Sequence, residues 1–302
     1  MSSVFSVVGA AACQKRPGVV SSWETNLIAV GEAMQTPEQV YDLFAKEYDA
    51  SLDAPSMRLY EAATWENIKQ FLPDKEGPLI LDIGGGTGRW SLLLAKEGYR
   101  VVLGDISDGM LNVARDKIKQ AGLNDLVDVQ RLDICDMRGI ADGSFDFILC
   151  QGDPLSYVTD PTKAAAECFR VAKPGAFFIP SVDSRFPAVI RLVSLGEWNR
   201  ASEVLETGAS QMVYPTGSFA THGFTPQELI ELLEAAGWEV GQLIGKTILG
   251  ARLPAEMLKQ FVNDPHSFHL LLQMEKELGA EPSLIGMASH LEAVCQKPSP
   301  GK

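Results

Sequence analysis

Asp82, Gly84, Gly86 and Asp105 are spaced as a nucleoside-binding unit would need them. The apolar run Leu79-Ile80-Leu81-Asp82-Ile83 leads directly into Gly84-Gly85-Gly86-Thr87-Gly88. Glycines at the carboxyl end of a buried strand let the backbone approach a ligand closely and take up positive φ. A helix opening just after them offers N–H groups that have no partner within the helix. A second apolar run, Val101-Val102-Leu103-Gly104, stops at Asp105, 21 residues after Gly84, where a carboxylate can accept hydrogen bonds from ribose hydroxyls.

A nicotinamide or flavin dinucleotide would use the same parts, but two residues argue against one. The dinucleotide fingerprint places Gly or Ala three residues after its second glycine, and three residues after Gly86 stands Arg89. A pyrophosphate is also repelled by a carboxylate beside its turn, and Asp82 lies two residues before the first glycine. A ligand with a cationic centre, a free amino group and no phosphate suits that carboxylate. S-adenosylmethionine is such a ligand.

The elements that must position these residues follow from periodicity and caps. Thr36-Pro37-Glu38-Gln39 forms a capping box, and Val40, Tyr41, Phe44 and Tyr48 then share one helix face. A second helix covers about 56–71. Strands are expected at 79–83, 100–104, about 126–130, 145–150 and 176–180. Helices lie between them at about 88–97, from Ser107 or Asp108 to Gly122, and at 160–171. Strands separated by helices of this length imply a parallel sheet with right-handed crossovers. Residues 184–222 are looser, with helices at about 187–195 and 198–207 and one strand-like piece, Gln211 to Tyr214. They read as an insertion covering one edge of the site. A second capping box at Thr225-Pro226-Gln227-Glu228 opens a helix to Ala236. A strand at about 238–248, helices near 254–263 and 265–278, and a last strand from His290 to Gln296 complete the pattern.

Bulk properties narrow the function classes. The 302 residues are 46% hydrophobic and 22% charged, with a formal net charge of −13 spread along the chain. Such a surface repels nucleic acid and anionic membranes, so neither is expected as a partner. No apolar run has the length of a membrane span. The five cysteines show no CxxC spacing, which suits reduced thiols in a cytoplasmic compartment. Residues 1–23 contain no acid and five serines, a composition that also fits an organellar transit peptide, so residues 1–35 are set apart as a disordered or targeting leader.

With these motifs in order, the sequence resembles the class I S-adenosylmethionine-dependent methyltransferases, in their small-molecule branch. Leu81 to Gly88 is similar to that family's first motif and Gly104 to Leu111 to its second. Asp133 matches its acid after strand three, Phe145 to Leu149 its fourth motif, and Arg170 to Gly175 the turn before strand five. The segments Val40–Asp49 and Phe224–Trp238 also resemble helices of that family, and the likeness spans roughly 37–298. It implies a Rossmann-like three-layer α/β sandwich with a mostly parallel seven-stranded sheet and a small helical insertion or lid. One methyltransferase domain would span 36–298.

The resemblance further implies S-adenosylmethionine as the cofactor. Gly84 and Gly86 would line its methionine portion, with Asp82 toward the amino end and Asp105 on the ribose. Ile106 and Met110 would sandwich adenine, Asp133 and Ile134 would meet its amino edge, Tyr48 would close over the site, and Gln151 would face the sulfonium. Many amino-directed members carry Asp or Asn-Pro-Pro-aromatic after strand four. Here Asp153-Pro154-Leu155-Ser156-Tyr157 departs from that pattern, so methylation of nucleic acid or amide nitrogen is not implied.

Methyl transfer from a sulfonium is an in-line displacement that needs a base only where the acceptor must lose a proton. Asp153, Asp183 and His222 are the candidates, with Asp153 and His222 carried as the catalytic pair. His266 and His269 have no third ligand at metal-site spacing, and His290 stands alone at the head of the last strand, so no metal is expected. The acceptor is expected to be a small organic molecule. A nicotinamide-dependent oxidoreductase and a non-catalytic S-adenosylmethionine-binding regulator are the alternative readings.

Overall fold

The computed structural model describes residues 34–74 and 77–299. The expected leader lies outside them up to residue 33. Helices α1 (Pro37–Ser51) and α2 (Pro55–Ile68) precede β1 (Leu79–Ile83). The Thr36 hydroxyl accepts from the Gln39 N–H while the Gln39 side chain accepts from the Thr36 N–H, which is the capping box the sequence predicts. There follow α3 (Arg89–Lys96), β2 (Arg100–Asp105), α4 (Asp108–Ala121), β3 (Val127–Arg131), β4 (Phe145–Cys150), a single turn α5 (Pro154–Tyr157), α6 (Pro161–Val171) and β5 (Ala172–Asp183).

The looser segment contains α7 (Arg185–Ser194), α8 (Trp198–Thr207) and an antiparallel hairpin of β6 (Ala209–Tyr214) and β7 (Gly217–His222). The expected insertion is therefore helical only in part. Its second strand, Gly-Ser-Phe-Ala-Thr-His, is mostly small and polar and gives little strand signal. Then come α9 (Pro226–Ala235), β8 (Glu239–Lys246), α10 (Ala255–Asn263), α11 (Pro265–Gly279) and β9 (His290–Gln296).

Seven strands form one sheet in the order β3-β2-β1-β4-β5-β9-β8. The first five are parallel, and β9 runs antiparallel to both of its neighbours. Side chains alternate between the two faces. On one face Leu81, Ile83, Val102, Phe145, Ile148, Phe178 and Leu291 pack with Ala164, Ala165 and Cys168 of α6 and Leu229 and Leu233 of α9. On the other, Ile80, Val101, Leu103, Phe147, Leu149 and Ile179 meet Ile68 of α2, Trp90 and Leu94 of α3 and Leu111 and Ala114 of α4. The result is a three-layer α/β sandwich. Its parallel strands all end at one edge, and β9, running the other way, begins at that edge. Among the described residues, no helix is long and apolar enough to cross a membrane.

Candidate active site

The glycine turn is built by close packing on one side and open space on the other. Gly84 has φ +69°, and a Cβ there would lie 2.4 Å from Cγ of Pro154. Only glycine satisfies both constraints. Gly86 also has positive φ, yet nothing lies within 4 Å of the Cβ it lacks. The turn is pinned to β2: the Gly84 and Gly85 N–H groups donate to the Gly104 carbonyl at 2.8 and 3.1 Å. Asp105 Oδ2 accepts from the Gly86 N–H at 2.8 Å, and its Oδ1 from the Ser107 N–H at 2.9 Å. Burial raises the Asp105 carboxyl above its ordinary value, with the Ser107 and Gly86 amides opposing.

Asp82 is fully buried. Its Oδ2 accepts from the Ser91 N–H at 3.0 Å and the Ser91 hydroxyl at 2.6 Å, while its buried Oδ1 has no partner among the described residues. Burial pushes Asp82 up to about 6, against the two Ser91 hydrogen bonds. An orphaned carboxylate oxygen beside an open glycine turn fits a ligand with an ammonium group.

At the same sheet edge lies a second group of polar side chains. Asp153 follows β4 in a left-handed conformation, φ +69°, after Gly152 at φ +81°. Ser181 Oγ of β5 accepts from both N–H groups of that turn, at 3.1 and 3.2 Å. Asp153 Oδ2 is 2.8 Å from Nδ1 of His290, the first residue of β9, and Asp183 Oδ1 is 3.7 Å from the same nitrogen. Burial would raise Asp153, but the adjacent His290, then Lys246, hold it below the ordinary carboxylate value. Burial would lower His290, but Asp153 and Asp183 raise it. Asp183 lacks so strong a partner, and burial plus the Asp153 charge push it up to about 7. The buried Asp153 Oδ1 has no partner among the described residues. Asp153, Asp183 and His290 each offer one ligand atom within 4.8 Å of the others, whereas local spacing draws attention only to the exposed His266 and His269.

Helix α1 spans both groups. Asp42 Oδ1 accepts from the Ser107 hydroxyl and the Gly109 N–H at the head of α4, at 2.6 and 2.8 Å. Asp49 accepts from the Thr87 hydroxyl of the glycine turn at 2.6 Å and from Lys117 Nζ at 2.7 Å. On its other side, Tyr41 Oη lies 3.2 Å from Tyr214 Oη of β6, and the Tyr41 ring packs on Tyr48, Tyr157 and Phe219. Burial is the largest cause raising the hydroxyls of Tyr41, Tyr48, Tyr60, Tyr157 and Tyr214, and the charge of Asp153 or Asp183 adds to it, while Lys246 opposes it at Tyr60 and the Tyr41 hydrogen bond opposes it at Tyr214. Five tyrosines thus lie within electrostatic reach of the carboxylates.

Of the residues picked out from sequence, Asp82, Gly84, Gly86 and Asp105 come together at the turn. Met110 is buried at 3% exposure and Ile106 is open at 36%. Asp133 is exposed, its Oδ1 accepting from the Cys135 N–H at 2.8 Å, and Ile134 is buried. Gln151 is buried with both ends of its amide engaged: Nε2 donates to the Ile179 carbonyl at 2.9 Å and Oε1 accepts from Lys246 Nζ at 2.8 Å. His222 belongs to a different cluster, with its ring 4.6 Å from Phe224 and influenced by Glu228 and Arg185. His290, expected to stand alone, is corrected to the partner of Asp153. No local motif marks it, since 137 residues separate the two.

Comparison with known proteins points to methyltransferases. A family described as a methyltransferase domain matches residues 81–179. A ubiquinone biosynthesis O-methyltransferase of Hahella chejuensis is 32% identical over 57% of this chain and 67% of its own. A ubiquinone/menaquinone biosynthesis C-methyltransferase of Haemophilus ducreyi is 28% identical, over 70% and 83%. A tRNA 5-carboxymethoxyuridine methyltransferase of Escherichia coli is 22% identical, over 80% and 89%. Among solved structures, an S-adenosylmethionine-dependent methyltransferase from Methanosarcina mazei shares the fold with a TM-score of 0.55, 24% identity, and coverage of 77% of this chain and 97% of its own. A glycine turn with an orphaned carboxylate, a β2 acid beside it and this sheet order occur together because the chain belongs to the class I S-adenosylmethionine-dependent methyltransferases.

Proposed function

We propose that the chain methylates a small, planar acceptor bearing an ionisable hydroxyl, with His290 as the general base and Asp153 as its partner. The observation that carries this reading is the 2.8 Å contact between His290 Nδ1 and Asp153 Oδ2 at the sheet edge where the glycine turn also lies. When bound, S-adenosylmethionine supplies an electrophilic methyl group on its sulfonium. The chain's own residues do the rest. Asp82 would take the amino group on its orphaned oxygen, Asp105 the ribose hydroxyls, Gly84 and Gly86 the methionine backbone, and Ile106, Met110, Asp133 and Ile134 the adenine side, with Tyr48 closing over the site. The imidazole of His290 accepts the acceptor's proton, and Asp153 stabilises the imidazolium that results. Asp183, pushed up to about 7 by burial and the Asp153 charge, can in its protonated form donate a hydrogen bond to a second acceptor oxygen.

Several observations support a small aromatic acceptor. Tyr41, Tyr157, Tyr214 and Phe219 form a contiguous aromatic cluster, which suits a planar acceptor and a dry site for the transfer. Two of the relatives carry quinone-biosynthesis names. One relative is named for a tRNA substrate, but a net charge of −13 disfavours a polyanion. In this reading residues 36–298 work as one unit in the cytoplasm, with 184–222 covering the acceptor.

The test is incorporation of a labelled methyl group into a panel of phenols, enols, amines and bulk tRNA. Label in a hydroxylated aromatic, lost with His290→Ala, is expected. Label in tRNA alone, or in amines with His290→Ala fully active, would overturn the reading.

A further inference from the structure

Behind the His290–Asp153 pair lies a buried charge that the chemistry above does not use. Lys246, the last residue of β8, pairs in register with His290. Its side chain is 3% exposed and that of Glu292 is not exposed at all, with 2.7 Å between Nζ and Oε2. The remaining ammonium protons go to Gln151 Oε1 at 2.8 Å and Tyr60 Oη at 3.2 Å. Glu292 Oε1 in turn accepts from Asn67 Nδ2 at 2.7 Å. Each ammonium proton and each carboxylate oxygen is therefore matched.

Removing two charges from water costs several times what a surface pair gains. Apolar replacements of such pairs are often neutral or stabilising. Stability alone therefore does not account for Lys246. Its neighbours do. Gln151 immediately precedes the Gly152–Asp153 turn. The Tyr60 ring stands edge-on to His290 with centroids 5.0 Å apart and lies under the ammonium, 4.4 Å from it.

We propose that Lys246 is a positioning residue for methyl transfer: through Gln151 it fixes the turn that carries Asp153, and through Tyr60 it fixes the ring against which His290 rests. The proposal rests on the reading of His290 as the base. His290 is faced by Asp153 from the turn after β4, Asp183 from β5, Lys246 from β8 and Tyr60 from α2. Lys246 is the one cation among these groups, and it opposes protonation of the imidazole.

The experiment uses the full chain carrying Lys246→Met with Glu292→Gln, which leaves no unpaired buried charge and keeps an acceptor for Asn67. A misplaced reacting group costs up to about 100-fold, so kcat is expected to fall about 10- to 100-fold. The KM for S-adenosylmethionine should stay near that of the unaltered protein, and the acid limb of the kcat–pH profile should move to higher pH. A merely structural role would lower Tm and leave kcat at its plateau unchanged at a permissive temperature, and that result overturns the proposal. His290→Asn is run in parallel. Full activity there sinks the base reading itself, whereas an inactive His290→Asn beside a fully active Lys246 variant sinks only the positioning role. If the double variant does not fold, Gln151→Leu is measured instead, and an unchanged kcat in it is equally fatal.

Discussion

The two halves of the site are built by opposite rules. On the cofactor side, the contacts of Asp82 and Asp105 run to residues nearby in sequence: Ser91 is nine positions from Asp82, Ser107 two from Asp105, and Gly86 nineteen. On the acceptor side, Asp153 meets His290 across 137 positions, Gln151 meets Lys246 across 95, and Asn67 meets Glu292 across 225. The carboxylates of the first half are held locally, within one βαβ unit. The second exists only after the sheet has formed, because antiparallel β9 brings the start of a strand to the edge where parallel strands end. A half built from short-range contacts can persist while the long-range half is rebuilt, because the two depend on different parts of the chain.

The largest expected effect breaks the acceptor half alone. His290→Ala removes the base, and losses of roughly 100- to 10,000-fold in kcat are typical of such changes. Binding of S-adenosylmethionine, followed by titration calorimetry, should be unchanged. A parallel loss of cofactor affinity would mean that the halves are not separable. Asp153→Asn should act in the same direction and also shift the acid limb. Without the carboxylate the imidazolium is less stabilised, so the pKa of His290 falls and the limb moves to lower pH, opposite to the shift expected on losing Lys246.

The same division decides what the sequence reveals. The glycine turn, Asp82 and Asp105 are legible because strand, turn and acid lie within 27 residues and their types admit few other uses. The helices with capping boxes at Thr36 and Thr225 are legible for the same reason, since each is a four-residue signal. His290 is not legible. A lone histidine at a strand head carries no spacing signal, and its partner is set by strand order. The hairpin strand β7 and the one-turn helix α5 escape because Gly217–His222 and Pro154–Tyr157 have weak intrinsic preferences and are held by neighbours. Asp153 is half-legible: its Asp-Pro context marks a turn, but its positive φ and its bond to His290 are tertiary facts.

A smaller effect breaks the cofactor half alone. Asp105→Ala removes an acceptor of charge-assisted hydrogen bonds, each worth about 1.5–3 kcal/mol, and should weaken S-adenosylmethionine binding roughly 10- to 100-fold. With cofactor at saturation, kcat should recover most of its value. Unchanged affinity would remove Asp105 from the ribose.

Asp82 gives a subtler test, in pH. Its carboxyl sits at about 6 in the free protein, so burying it ionised works against folding: the stability it contributes below pH 4 is lost as pH rises through about 6. An ammonium at its orphaned oxygen reverses that cost. Cofactor affinity should therefore rise with pH up to about 6 and then level off, with proton release on binding near that pH. A flat profile between pH 5 and pH 7.5 in calorimetry would place the amino group elsewhere.

The smallest effect tests which half owns α1, since that helix touches both. Asp42 and Asp49 tie it to α4 and the glycine turn, and Tyr41 ties it to Tyr214 across the hairpin. Tyr41→Phe keeps the ring packing and deletes one neutral hydrogen bond, worth about 0.5–1.5 kcal/mol. For a chain of this size that is a fall of a few degrees in Tm, roughly 2–4 °C per kcal/mol. Because the deleted bond reaches only the hairpin, the acceptor KM should rise by a small factor while cofactor affinity stays constant. If cofactor affinity falls instead, tension in the hairpin is transmitted through Asp42 and Asp49 to the glycine turn. Helix α1 would then couple the two halves rather than merely roof them, and acceptor binding should tighten the hold on S-adenosylmethionine by the same factor that the cofactor tightens the hold on the acceptor.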